Sequence, residues 1–103
     1  MVVFNETLVI ANAKKEEWLQ WMKEVQIPTI LETGLISEAK IMIVRGQDES
    51  EATTFAIHLT AETDADFQKY ASQHFETFVQ TQKKKFQGHY NNFKTLLTVV
   101  HSA

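Results

Sequence analysis

The sequence predicts an α+β domain, a ferredoxin-like βαββαβ sandwich whose four-stranded antiparallel sheet carries two helices on one face. Three observations predict it. Stretches rich in β-branched and aromatic residues occur four times, stretches with helical spacing occur twice, and their order is strand, helix, strand, strand, helix, strand. A chain of 103 residues has room for one core only, so residues 1–103 are expected to form a single domain.

Val2 to Ile10 reads as the first strand. Asn12 stands where a side chain caps a helix by accepting from a free N–H of the first turn. Trp18, Leu19, Met22 and Val25 then recur at three- and four-residue steps, marking one buried helix face. Pro28 interrupts that helix, since it lacks an N–H and pushes Ile27 away from helical dihedrals. A restart with Pro28 in its first turn runs to about Thr33, and Gly34 supplies the stop.

Leu35 to Arg45 and Thr53 to Thr60 are strands joined by the polar turn Gly46-Gln47-Asp48-Glu49-Ser50, so they form a hairpin. Thr63 and Asp66 have the spacing of a capping box. The second helix places Phe67, Tyr70, Ala71, His74, Phe78 and Gln82 on one stripe and ends near Gln87-Gly88. Tyr90 to Val100 is the closing strand.

Alternation sorts the strands by face. Phe55, Ile57 and Leu59 share one side, as do Phe4, Leu8 and Ile10, and these sets belong under the helices. Parity puts Glu6 with them, an awkward place for a carboxylate. The opposite side mixes Val3, Val9, Ala56, Leu96 and Val100 with threonines, and it predicts a homodimer packed through the sheet face.

Composition narrows the function classes. A net charge of −3 argues against a nucleic-acid binder, which needs a basic face. The chain has no cysteine, so disulfides, thiolate nucleophiles and Cys-ligated zinc are excluded, and a reducing, cytoplasmic location is expected. No apolar run reaches the roughly 18 residues of a membrane span, and Met1-Val2-Val3-Phe4 does not read as a signal peptide. No Gly-rich phosphate loop and no Cys/His cluster is present, so no cofactor or metal is expected.

The run Glu17-Trp18-Leu19-Gln20-Trp21-Met22-Lys23-Glu24, followed by Ile27-Pro28, resembles the opening helix of the bacterial family known as domain of unknown function 4286. Thr54-Phe55, the helix start at Asp66 to Tyr70, and Phe93-Lys94-Thr95-Leu96-Leu97 extend the resemblance over nearly the whole chain. It implies the layout of dimeric α/β-barrel proteins and implies no activity. The residue before Ile27-Pro28 is often histidine in that family and is Gln26 here, so an acid–base role at that position lapses.

Two groups of residues are candidates for a site. Asn5, Thr7 and His58 fall on the mixed face of neighbouring strands, where they would line a small cavity between two sheets or satisfy one another across a dimer. His74, on the apolar stripe, would be a haem ligand or general base in one reading and a hydrogen-bonded structural histidine in the plainer one. Trp21 lies around the helix from Trp18 and would flank a groove or interface. Lys83-Lys84-Lys85 reads as a solvated run near a helix end.

The favoured function is a homodimer that binds a small, partly apolar molecule or serves as an interaction module. The alternative is a cofactor-independent or haem-handling monooxygenase of the dimeric α/β-barrel kind. Haem-degrading members place an asparagine on the first strand and a histidine on the second helix, which Asn5 and His74 match loosely. This chain lacks their third-strand tryptophan, and parity puts Asn5 and His74 on opposite sides of the sheet.

Overall fold

The first strand, β1 (Val2–Ala11), runs through the middle of the sheet. In the computed structural model, which describes residues 1–103, it lies between β3 (Ala52–Ala61) and β4 (Tyr90–Thr98), with β2 (Glu38–Ile43) outside β3. All three pairings are antiparallel. Helices cover one face: α1 (Asn12–Trp21), a π-helical turn over Met22–Gln26, and α2 (Ile27–Glu32) form the first arm, while α3 (Asp64–Gln73) and α4 (Phe75–Phe86) form the second. This is the ferredoxin-like sandwich that the sequence predicts.

The period-two sorting holds for β1 and β3. Leu8, Ile10, Phe55, Ile57 and Leu59 are buried beneath Trp18, Met22, Tyr70 and Phe86. Trp18 anchors this layer against Phe55, with ring centroids 5.0 Å apart. Fully burying a side chain of this kind contributes about 2–3 kcal/mol. The opposite face has no helix over it. Val3, Asn5, Thr7 and Val9 of β1 stand beside Thr60, His58, Ala56 and Thr54 of β3.

On β4 the expected face is corrected. Leu96 pairs with Phe4 and so lies on the helix side, whereas Phe93 pairs with Thr7 and Leu97 with Val3. The open face therefore carries Phe93, 63% exposed, and Leu97, 42% exposed. Val100 lies beyond the end of the strand. Consecutive leucines make period two ambiguous, and the register against β1 decides it.

Three local expectations also change. Asn12 does not cap α1. Its Oδ1 accepts from Thr53 Oγ1 at 2.7 Å and its Nδ2 donates to the Glu49 carbonyl at 2.9 Å, tying the helix start to the β2–β3 loop. The helix does restart with Pro28 in the first turn of α2 and ends at Thr33, but Ile27 keeps helical dihedrals, φ −62° and ψ −47°. The Ile27 N–H reaches back five residues to the Met22 carbonyl, and the π-helical turn relieves the crowding that the Pro28 ring would cause in an α-helix. The second arm is two helices rather than one, parted at His74, whose backbone leaves the helical region at φ −127°. β2 is shorter than the expected Leu35 to Arg45, while two helix-end signals hold. Thr63 Oγ1 accepts from the Asp66 N–H at 3.0 Å, and Gly34 closes α2 at φ 75°, a left-handed conformation that glycine adopts without a Cβ clash.

Candidate functional site

Both irregularities in the helical layer border one crevice between helices and sheet. The π-helical turn directs Gln26 inward, and its Nε2 donates to the Phe78 carbonyl at 3.2 Å. The break at His74 lets Tyr70 of α3 and Phe75, Phe78, Val79 and Gln82 of α4 all reach the same space. The sheet supplies Phe4 and Glu6 from β1, Ile57 and Leu59 from β3, and Tyr90, Asn92 and Lys94 from β4. Met22 and Ile30 complete a narrow crevice with a free volume of about 40 Å³. It is mostly apolar with a few convergent polar groups, the usual make-up of a small-molecule pocket.

Glu6 is the polar centre. It sits on the helix side, as parity demands, and two amides make that position tolerable. Gln82 Nε2 donates to its Oε2 at 3.0 Å and Asn92 Nδ2 donates to the same oxygen at 2.7 Å. Trp18 Nε1, inside the core, donates to Gln82 Oε1 at 3.1 Å and so sets which way the Gln82 amide faces. The relay runs from indole to amide to carboxylate. Glu6 Oε1 takes no donor from the chain.

Tyr70 lies across the crevice, 1% exposed, stacked on Phe78 at 6.1 Å and beside His74 at 6.3 Å. Its hydroxyl has no hydrogen-bond partner in the chain, yet no side-chain polar atom is both walled in and unpaired, so this hydroxyl meets the open crevice. Burial pushes its phenol well above the ordinary value of 10.0, and the Glu6 charge adds to the rise. Burial also raises the Tyr90 phenol, with Gln82 opposing and Glu6 reinforcing. At the mouth, the Lys94 ammonium lies 5.4 Å above the centre of the Phe75 ring.

The residues singled out from the sequence lie in three places. Asn5, Thr7 and His58 share the open face: Asn5 Nδ2 donates to Thr7 Oγ1 at 3.0 Å, and Asn5 pairs with His58 across the strands. Trp21 is buried against Phe86, with centroids 5.5 Å apart, rather than flanking a groove. His74 is half-buried at the junction of α3 and α4, in the layer opposite Asn5. The crevice itself needs Glu6, Gln82, Tyr70 and Asn92. The signal for it was the carboxylate of Glu6 set among core positions, repeated by Gln82 on the apolar stripe between Phe78 and Phe86.

The sequence matches the family described as "Domain of unknown function (DUF4286)" over residues 1–100. The chain belongs to that family. No curated protein matches the DUF4286 chain. Solved structures share its fold. A Bacillus cereus protein named for antibiotic biosynthesis monooxygenases is 8% identical, with a TM-score of 0.72 over 99% of this chain and 95% of its own. A dimeric ferredoxin-like protein from an uncultured marine organism is 10% identical, with a TM-score of 0.73 over 99% of this chain and 98% of its own. A mutant of MhuD, solved with two manganese protoporphyrin IX molecules per active site, is 11% identical, with a TM-score of 0.70 over 100% of this chain and 98% of its own. At these identities the likeness is one of fold. No helix of the DUF4286 chain is long and apolar enough to cross a membrane, and no three His, Asp or Glu side chains cluster as metal ligands.

Proposed function

We propose that this chain is a homodimeric small-molecule-binding protein whose ligand enters the crevice between helices and sheet. One observation carries the reading: Glu6 and Tyr70 both line an apolar crevice, and neither Glu6 Oε1 nor the Tyr70 hydroxyl has a hydrogen-bond partner in the chain. Polar groups placed this way cost stability unless water or a ligand meets them. The open sheet face supports the pairing, because Val3, Val9, Phe93 and Leu97 need a cover, and a second copy supplies the same face. Asn5, Thr7 and His58 then belong to the interface between two sheets. The missing cysteines agree with a cytoplasmic home.

The test uses para-cresol, an apolar ring with one hydroxyl. Calorimetry is expected to show saturable binding to the native protein and none to Val79→Trp, which fills the crevice without removing a polar group. Equal binding by both proteins, with unchanged circular dichroism, contradicts the reading.

A cofactor-independent monooxygenase is the second reading, favoured by the fold shared with the Bacillus cereus protein named for antibiotic biosynthesis monooxygenases. Oxygen consumption with a bound phenol would support it. The haem-handling form has less behind it, since Asn5 and His74 lie in different layers.

A further inference from the structure

We infer that the crevice selects small aryl carboxylic acids bearing a phenolic or amino hydrogen-bond donor at the end away from the carboxylate. The inference rests on the crevice being the ligand site. It starts from two charges that ought to meet and do not. Glu6 and Lys94 are register partners on the same face of adjacent strands, where opposite charges ordinarily pair. The only ion pair in the chain is instead Lys40 with Glu38.

The hydrogen bonds explain the separation. Gln82, held by Trp18, and Asn92 together occupy Glu6 Oε2 and keep the carboxylate turned into the crevice. The Lys94 ammonium lies instead over the Phe75 ring, which lines the same crevice. Each charge therefore keeps capacity that the protein does not use. Glu6 Oε1 is an acceptor that wants a donor, and the Tyr70 hydroxyl beside the same space can complete that contact. Lys94 offers three donors and no acceptor, so it wants an anion.

Aromatic side chains line the space around them. Phe4 meets Phe75 edge-on at 5.4 Å, and Phe78 lies stacked on Tyr70. A flat ring suits such walls. A ligand carboxylate on Lys94, with the ligand's donor on Glu6, gives each charge the partner it lacks. The reversed orientation would set carboxylate against carboxylate, so the polarity of the ligand follows from the polarity of the crevice.

The test compares para-hydroxyphenylacetate, its methyl ester and phenylacetate by calorimetry on the native protein and on Lys94→Gln. Lys94 is exposed at the mouth, so its replacement should leave the fold intact, which an unchanged melting temperature checks. The acid is expected to bind about two- to fivefold tighter than the ester, the scale of one exposed ion pair. That preference should vanish in Lys94→Gln and shrink as salt is added. Phenylacetate, which lacks the donor, should bind more weakly than para-hydroxyphenylacetate. Equal affinity for acid and ester, or a preference that survives Lys94→Gln, overturns the inference while leaving the crevice as a binding site. Failure of all three probes, with para-cresol also unbound, overturns the crevice reading itself.

Discussion

Replacing Gln82 with leucine removes the one side chain that serves both Trp18 and Glu6. Trp18 is fully buried, so its indole N–H then has no partner and no water. An unsatisfied buried donor costs about 1–3 kcal/mol. Glu6 keeps its bond from Asn92 and borders the crevice, so its loss is smaller. The added apolar burial at a position only 5% exposed offsets about 1 kcal/mol. The smaller Glu6 loss and the burial gain roughly cancel, so the net expectation is a loss of about 1–3 kcal/mol, or about 4–8 °C in melting temperature per kcal/mol for a domain of this size. Urea unfolding followed by far-ultraviolet circular dichroism measures it, at one protein concentration because a dimer would make stability concentration-dependent. The decisive form is a double-mutant cycle with Trp18→Phe, which removes the donor. If the relay exists, Gln82→Leu costs less in that background, with a coupling of about 1–2 kcal/mol. Additivity within about 0.5 kcal/mol refutes the relay.

Other expectations concern charge, capping and assembly. Gln82→Glu keeps an acceptor for Trp18 but sets a second carboxylate against Glu6, so it should destabilise at neutral pH and recover as acid protonates one of the pair; a flat pH profile contradicts this. Tyr70 and Tyr90 ionise above 10.0 in the folded chain, so the unfolded phenols lose protons first and stability should fall once pH exceeds about 10, by at most about 1.4 kcal/mol per unit for each group. Tyr70→Phe should flatten part of that slope in unfolding measurements from pH 9 to 11. Thr63→Ala removes the cap on the Asp66 N–H and should cost about 1 kcal/mol in urea unfolding. Phe93→Asp places a charge on the open face and should give a folded monomer by light scattering; an unchanged mass locates any pairing elsewhere.

Much of this architecture was legible from residue order because β1 and β3 alternate cleanly. Phe4, Leu8 and Ile10 against Phe55, Ile57 and Leu59 leave a single way to set the faces, and Glu6 follows by parity. What escaped depends on partners distant in sequence. Asn12 has a capping residue's chemistry, but Glu49 of the β2–β3 loop and Thr53 of β3 claim its side chain. The break at His74 carries no Gly or Pro to announce it, and the π-helical turn is one of several ways to accommodate Pro28. Those two irregularities shape the crevice, which is why the open-face residues Asn5, Thr7 and His58 stood out first and the Glu6 relay did not. The relay joins side chains 64 and 76 positions apart, a separation no local pattern reports.

The central claim, that a small molecule seats on the helix side of the sheet, is tested most directly by nuclear magnetic resonance on methyl-labelled protein titrated with para-cresol. Saturable shifts are expected at the methyls of Ile30, Ile57 and Leu59, which line the crevice, with Val3, Val9 and Leu97 on the open face unmoved. Shifts confined to Val3, Val9 and Leu97, or none anywhere at millimolar probe, would contradict it.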